Sequence, residues 1–235
     1  MKNLSLIFVI SLVLSSMSCN VFHIIGNGSM ETTEKTISSF DKINAAGSAE
    51  VRFYKSNEFK VIYTIDSNLT EYVEIYTSGS TLNIGMKNGY SYSYSKKIVE
   101  IYCPDVTGIT MSGSGFFIAE DTITAPSFSA IVSGSGKVEG KFETSNFSAK
   151  ISGSGKINIT GNSNSSNIEI SGSGNINAVN FPVKTADIKI SGSGRADIHV
   201  TDRLKANISG SGRVNYIGNP VVESSISGSG KIGKI

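Results

Sequence analysis

Histidine, cysteine and tryptophan are scarce in this chain of 235 residues. It contains two histidines, two cysteines, four prolines and no tryptophan. Neither His23 nor His199 has a visible partner, and the sequence shows no Ser/His/Asp pattern, no metal-spaced cluster and no phosphate-binding glycine loop. Because the usual hydrolase and metalloenzyme signatures are absent, we expect no catalytic residue, no metal site and no cofactor.

A strong excess of one charge is also missing. Lysine and arginine number 21 against 19 aspartates and glutamates, for a net charge of +2. This balance argues against a nucleic-acid partner. The acidic residues are scattered along the chain, as at Glu139, Glu169, Asp187 and Asp197. By contrast, β-solenoid enzymes that cut polysaccharides rely on clustered charged groups. A polysaccharide-active β-helix enzyme therefore remains the alternative to a binding protein or a purely structural one.

The chain contains an internal repeat instead. The tetrapeptide Ser-Gly-Ser-Gly occurs seven times, at spacings of 21, 19, 19, 20, 18 and 18 residues. Its copies begin at Ser112, Ser133, Ser152, Ser171, Ser191, Ser209 and Ser227. A nearly constant period of this size is typical of stacked supersecondary units.

The residues around each copy alternate between apolar and polar side chains. In FSAKISGSGKINI, every second position from Phe147 to Ile159 is apolar or glycine, so both glycines fall on the inner side and the serines face outward. Each tetrapeptide is interpreted as a bend between two short strands. A coil of about 19 residues suits one closed turn, and neighbouring coils would stack about 4.8 Å apart. The sequence therefore predicts an all-β, parallel β-solenoid.

The N-terminal segment has the parts of an export signal. Residues 1–18 contain Lys2, an apolar run and small residues before Cys19, and they are too short to cross a membrane. Cys19 is the expected lipid-modified first residue of a bacterial lipoprotein, with an ordinary signal peptide as the alternative. Residues 19–39 are expected to form an irregular, lipid-anchored tether, and residues 40–235 the solenoid domain. The anchor predicts an outer-membrane lipoprotein on the periplasmic side or at the cell surface.

The half of the domain before the regular repeats is less regular. The segment AAGSAEVRF resembles a degenerate corner, and the region is expected to supply an N-terminal cap and the first coils. Tyr90, Tyr92 and Tyr94 alternate with serine and would share one side of a strand. They are either an aromatic platform for sugars or part of the cap. Cys103 alternates with Val99 and Ile101 and is expected to be a buried, unpaired thiol.

One column of outward residues has a consistent charge. Five of the seven residues that follow the tetrapeptide are basic, and they are Lys137, Lys156, Arg195, Arg213 and Lys231. We call these five residues the basic column. Stacked coils would align these side chains. The aligned row would be either a solvated face that resists aggregation or a stripe that binds anions.

Several local motifs carry a resemblance to a known family. They are the opening Phe40-Asp41-Lys42-Ile43, the repeated Ser-Gly-Ser-Gly corners, the Ile101 to Asp105 segment with its proline, and Gly218-Asn219-Pro220 before the last corner. Together they resemble the family called "putative auto-transporter adhesin, head GIN domain", over about residues 40–235. The resemblance implies a right-handed parallel β-solenoid on an exported bacterial envelope protein, commonly from Bacteroidetes, and it supplies no catalytic residues. The expected function is non-enzymatic adhesion or binding, with the membrane as one partner and an acidic glycan or envelope component as another.

Overall fold

The computed structural model describes residues 22–235, which form nineteen strands and one 3-10 helix, Ser67–Tyr72. The strands of the first half are β1 (Phe22–Ile25), β2 (Met30–Thr36), β3 (Lys42–Gly47), β4 (Glu50–Lys55), β5 (Lys60–Asp66), β6 (Val73–Ser78), β7 (Thr81–Met86), β8 (Tyr90–Ser93) and β9 (Ile98–Cys103). Those of the second half are β10 (Gly108–Gly113), β11 (Phe116–Ala119), β12 (Ile123–Gly134), β13 (Lys137–Gly153), β14 (Lys156–Gly172), β15 (Asn175–Gly192), β16 (Arg195–Gly210), β17 (Arg213–Ile217), β18 (Val221–Ser227) and β19 (Lys231–Lys234). Within this described part, no helix has the length and apolar character needed to cross a membrane.

The second half is a stack of parallel coils. Strands β12 to β16 pair in order, and the corners align residue by residue, so that Gly153 lies opposite both Gly134 and Gly172. The inner positions just before each corner are fully buried, and they are Val132, Ile151, Ile170, Ile190 and Ile208. These stacked parallel coils confirm the predicted β-solenoid with coils of about 19 residues. The fold forms because period-two alternation lets each coil bury one row of apolar side chains.

The degenerate corner forms the first coil. Strands β3 and β4 flank it, and Gly47 pairs with Gly113 of the next coil in the same register as the later corners. On the other side, β3 contacts β7 and β4 contacts β9. The chain therefore passes from one side of the first coil to the other between β9 and β10.

The two glycines of a corner lie in different surroundings. Gly172 has a φ of +114°, and a Cβ atom there would lie 2.6 Å from the carbonyl oxygen of Gly153 in the preceding coil. Gly174 is buried, and its Cβ would lie 2.5 Å from Cγ2 of Ile151. The expected inward orientation is confirmed for Gly174. Gly172 is needed for its left-handed backbone and for close contact along the solenoid axis.

The expectation of an irregular tether over residues 19–39 is wrong for the part that the structure describes. Strand β2 pairs antiparallel with β5, from Met30 opposite Asp66 to Thr36 opposite Lys60, and β1 pairs parallel with β8. Strand β2 lies at a sheet edge with nearly all its side chains exposed, so its sequence METTEKT needs no apolar alternation. The folded cap thus begins before residue 40.

A buried carboxylate holds the cap together. The side chain of Asp66 is fully buried and accepts hydrogen bonds from the backbone N–H groups of Gly28 (2.6 Å) and Ser95 (2.9 Å) and from the Ser95 hydroxyl (3.1 Å). These bonds, led by the one from the Ser95 backbone, lower the pKa of Asp66 against the opposing effect of burial. Asp66 therefore ties the β1–β2 turn to the segment after β8.

The thiol of Cys103, at the end of β9, is buried as predicted. Burial raises its pKa to about 12, which leaves it protonated and unreactive at neutral pH.

Candidate functional site

The parallel register places the basic column in one row. Lys137 pairs with Lys156, Arg195 with Arg213, and Arg213 with Lys231. Asn175 occupies the row between Lys156 and Arg195. The predicted alignment is therefore confirmed, with one neutral position inside the row.

Only one end of the basic column has an acidic partner. Lys137 forms a 2.6 Å ion pair with Glu139, which also accepts a 2.7 Å hydrogen bond from Nδ2 of Asn158. Partial burial acts to raise the pKa of Glu139, but these two hydrogen bonds bring it below its usual value. Across residues 22–235, no carboxylate lies within 4 Å of the charged groups of the other four members, which are Lys156, Arg195, Arg213 and Lys231.

Two residues after Lys137 and Arg195 lie Glu139 and Asp197, and each accepts a hydrogen bond from a side-chain amide of the following coil. Asp197 accepts a 2.5 Å hydrogen bond from Nδ2 of Asn215 in the following coil. Glu169, on the face before the corner, pairs with Lys150 at 3.1 Å. In the described residues, no group of three or more His, Cys, Asp or Glu side chains is arranged to hold a metal ion.

The three tyrosines considered as a platform or as part of the cap line one cavity of about 340 Å³, but their contacts differ. The rings of Tyr90 and Tyr92 cluster with Tyr72, with centroids 5.4 to 6.1 Å apart. The residue Tyr94 lies beyond the end of β8, and its hydroxyl is 2.6 Å from Oγ of Ser48 at the first corner. The alternation of Tyr and Ser did not reveal Tyr72, which lies in the 3-10 helix.

The sequence did not reveal a groove that we call the polar groove after the outward polar side chains along it, although apolar groups also line it. It has a volume of about 780 Å³ and runs along several coils on the face that precedes the corners. Two outward columns line it. The first comprises Ser127, Asn146, Ser165, Thr185 and Arg203, and the second comprises Ser129, Ser148, Asn167, Asp187 and Lys205.

The two columns of the polar groove differ in how their polar groups are used. In the first, Ser165 donates a 2.8 Å hydrogen bond to Asn146, and Asn146 is 3.4 Å from Ser127. In the second, Oδ1 of Asp187 is buried with no hydrogen-bond partner. A buried carboxylate oxygen without a donor is unfavourable unless a ligand or water supplies one. Because this oxygen is buried, the groups that the second column presents to the groove are its other side chains, Ser129, Ser148, Asn167 and Lys205.

Stacked parallel coils with laddered surface columns define a β-solenoid protein. The family model described as "Putative auto-transporter adhesin, head GIN domain" matches residues 39–220, and the chain belongs to this family. The resemblance expected from the corner motifs is therefore confirmed.

Solved structures from Bacteroidetes species share the fold. A protein from Parabacteroides distasonis described as a putative lipid binding protein is 29% identical, with a TM-score of 0.77 and coverage of 91% of this chain and 99% of that one. A putative adhesin from Parabacteroides merdae is 29% identical, with a TM-score of 0.76 and coverage of 92% and 100%. One from Bacteroides fragilis is 21% identical, with a TM-score of 0.86 and coverage of 90% and 100%. The comparison with curated proteins finds no match.

Proposed function

We propose that this protein is a non-enzymatic, lipid-anchored component of the outer membrane that binds acidic glycans along its basic column. The observation that carries the proposal is that four exposed cations of the row have no acidic partner within residues 22–235; they are Lys156, Arg195, Arg213 and Lys231. The similar structures, described as adhesins and as a lipid binding protein, favour a binding role over an enzymatic one.

The physical argument concerns repulsion within the row. Neighbouring members in adjacent coils lie about 5 Å apart, which is closer than the Debye length of about 8 Å at physiological salt. Their mutual repulsion is relieved in part by Glu139, and a polyanion laid along the axis relieves the remainder. Arg195 and Arg213 are suited to bidentate contact with carboxylate or phosphate groups. The ligand that fits is a linear chain with repeated negative charges.

Charge reversal tests the basic column. The triple variant Lys156→Glu, Arg195→Glu, Arg213→Glu should lose salt-sensitive binding to polygalacturonate and heparin, by tenfold or more, with an unchanged melting temperature. The control with the same change in net charge is Lys150→Glu, Lys184→Glu, Lys189→Glu, away from the row. Binding that is retained in the first triple variant, or that is absent from the wild type at low salt, would show that the basic column is a solvated face and not a binding site.

The anchor has its own test. Cys19 lies outside the described residues, and the Cys19→Ala variant should move the protein from the detergent phase to the aqueous phase. Partitioning that the substitution leaves unchanged would show that Cys19 does not carry the lipid.

A second binding surface is the polar groove. Its hydroxyl and amide groups, with the apolar groups beside them, suit a linear neutral sugar chain. Ser148→Trp would fill the groove without touching the core, while Ser152→Trp at an exposed corner is the matched control. Loss of cellohexaose or chitohexaose binding in the first variant alone would support the groove, and equal binding by both would refute it.

A further inference from the structure

The cap carries an exposed aromatic surface that the proposed glycan site does not use. Strands β1 and β8 pair with Phe22 opposite Tyr90 and Ile24 opposite Tyr92, so these four side chains share one face of a two-stranded sheet. We call this face, with the adjoining Tyr72, the cap face. Phe22 is 75% exposed and Tyr90 is 41% exposed.

The two faces of the sheet carry different side chains. On its opposite face, Nδ1 of His23 lies 2.6 Å from Oγ of Ser91, and Nε2 lies 3.2 Å from Oγ of Ser93. On the cap face, Nζ of Lys87 lies 5.6 Å from the centroid of the Tyr72 ring. The opposite side of β1–β8 thus carries polar groups together with the exposed Ile25, while the cap face combines apolar groups, tyrosine rings and a cation.

The expected anchor lies very close to the cap face. Only two residues separate Cys19 from Phe22, the first residue of β1. Three peptide units span at most about 11 Å between α-carbons. A lipid on Cys19 therefore cannot hold the cap far from the bilayer surface.

We propose that the cap face lies against the lipid headgroups of the membrane that holds Cys19, so that β1 and β8 form a membrane contact. Tyrosine rings are enriched at the level of the headgroups because they have an apolar body and a polar tip. Lys87 is suited to anionic headgroups. The inference rests on the lipid anchor of the proposed function and is independent of glycan binding. A bilayer is the occupant that the 11 Å limit selects over a second copy of the chain.

The absence of tryptophan provides a clean measurement. In the acylated full chain, reconstituted in phosphatidylethanolamine and phosphatidylglycerol vesicles with brominated phosphatidylcholine, Tyr90→Trp should emit at shorter wavelength and be quenched. The control is Phe116→Trp, at a position 47% exposed at the start of β11, which should be neither shifted nor quenched. Equal, unquenched emission from both positions in vesicle-bound protein overturns the proposal. A shift without bromolipid quenching also overturns it, because a second copy would then cover the face.

A second variant separates orientation from anchoring. Phe22→Ser with Tyr90→Ser should leave the acylated protein on vesicles but expose Lys87 to trypsin, which cleaves there at least tenfold more slowly in the wild type on vesicles. Equal cleavage in the two proteins counts against the membrane contact. Release of the wild type from vesicles refutes the anchor and the contact together. Heparin binding, measured on the same samples, reports the basic column separately.

Discussion

The two glycines of each corner are required for different physical reasons, and this difference can be measured. Gly172→Ala combines a strained positive φ with a clash against the Gly153 carbonyl, so we expect a loss of about 2–4 kcal/mol in unfolding free energy. Ser173→Ala removes an exposed hydroxyl and should cost about 1 kcal/mol or less. Thermal melts compare the two, and equal destabilisation would contradict the assigned geometry.

Alternation in the sequence placed both corner glycines on the inner side, which is confirmed for Gly174, but it gave no indication of the left-handed backbone of Gly172. A period of two distinguishes the sides of a strand, as it did for the buried Gly174 and the exposed Ser173. It contains no information on φ or on contacts along the axis. Those depend on the neighbouring coil, which places the Gly153 carbonyl against Gly172.

Lys97 is a buried cation whose effect on stability should depend on pH. Its Nζ has a hydrogen bond to the carbonyl of Gly85 at 3.2 Å, and burial lowers its pKa to about 8. The unfolded chain, with a lysine pKa near 10.4, holds this proton more tightly, so wild-type stability should rise between about pH 8 and pH 10.4. Stability rises in this pH range because the folded state loses the Lys97 proton, and with it the cost of burying the charge, while the unfolded state keeps the proton.

Lys97→Met removes this buried charge. We expect the variant to be more stable than the wild type at pH 7 by about 1–3 kcal/mol, and the difference to shrink as the pH rises to 10. Chemical denaturation at several pH values measures it. A variant that is less stable at pH 7 would show that the hydrogen bond to Gly85 outweighs the burial of charge.

At the scale of the element, the pairing of β2 determines whether residues 30–36 belong to the folded cap or to a free tether. Its backbone pairs with β5 along the whole strand, so the amides that point toward β5 should exchange slowly. Hydrogen exchange with mass spectrometry should show residues 30–36 protected to a degree similar to β5. Exchange at the rate of an unstructured peptide would instead support the interpretation of this segment as an irregular tether.

The sequence did not reveal β2 or the polar groove, for a shared reason. The side chains of β2 are nearly all exposed, so no apolar pattern marks the strand. The groove arises where Ser148 and Asn167 lie on a concave stretch of the coil, and concavity is a property of the fold. The basic column was predictable because it needed only the repeat period and a parallel register.

At the scale of the whole molecule, each coil of the solenoid contacts only its neighbours. Ile170→Ala should leave a cavity between the ladder partners Ile151 and Ile190, at a cost of about 2–5 kcal/mol. Hydrogen exchange should rise most in β13, β14 and β15 and least in β3 and β4. A uniform rise throughout the chain would mean that the solenoid unfolds as one cooperative unit.

The passage of the chain from β9 to β10 has a consequence for the order of folding. The first coil, β3–β4, has neighbours on both sides that come later in the chain, so one edge stays open until β9 has emerged and the other until β11 has emerged. From β12 onward, each new coil adds to the coil just completed. A chain that emerges N-terminus first can therefore finish its cap and then grow from one end, with the last completed coil as the growing edge to protect from aggregation.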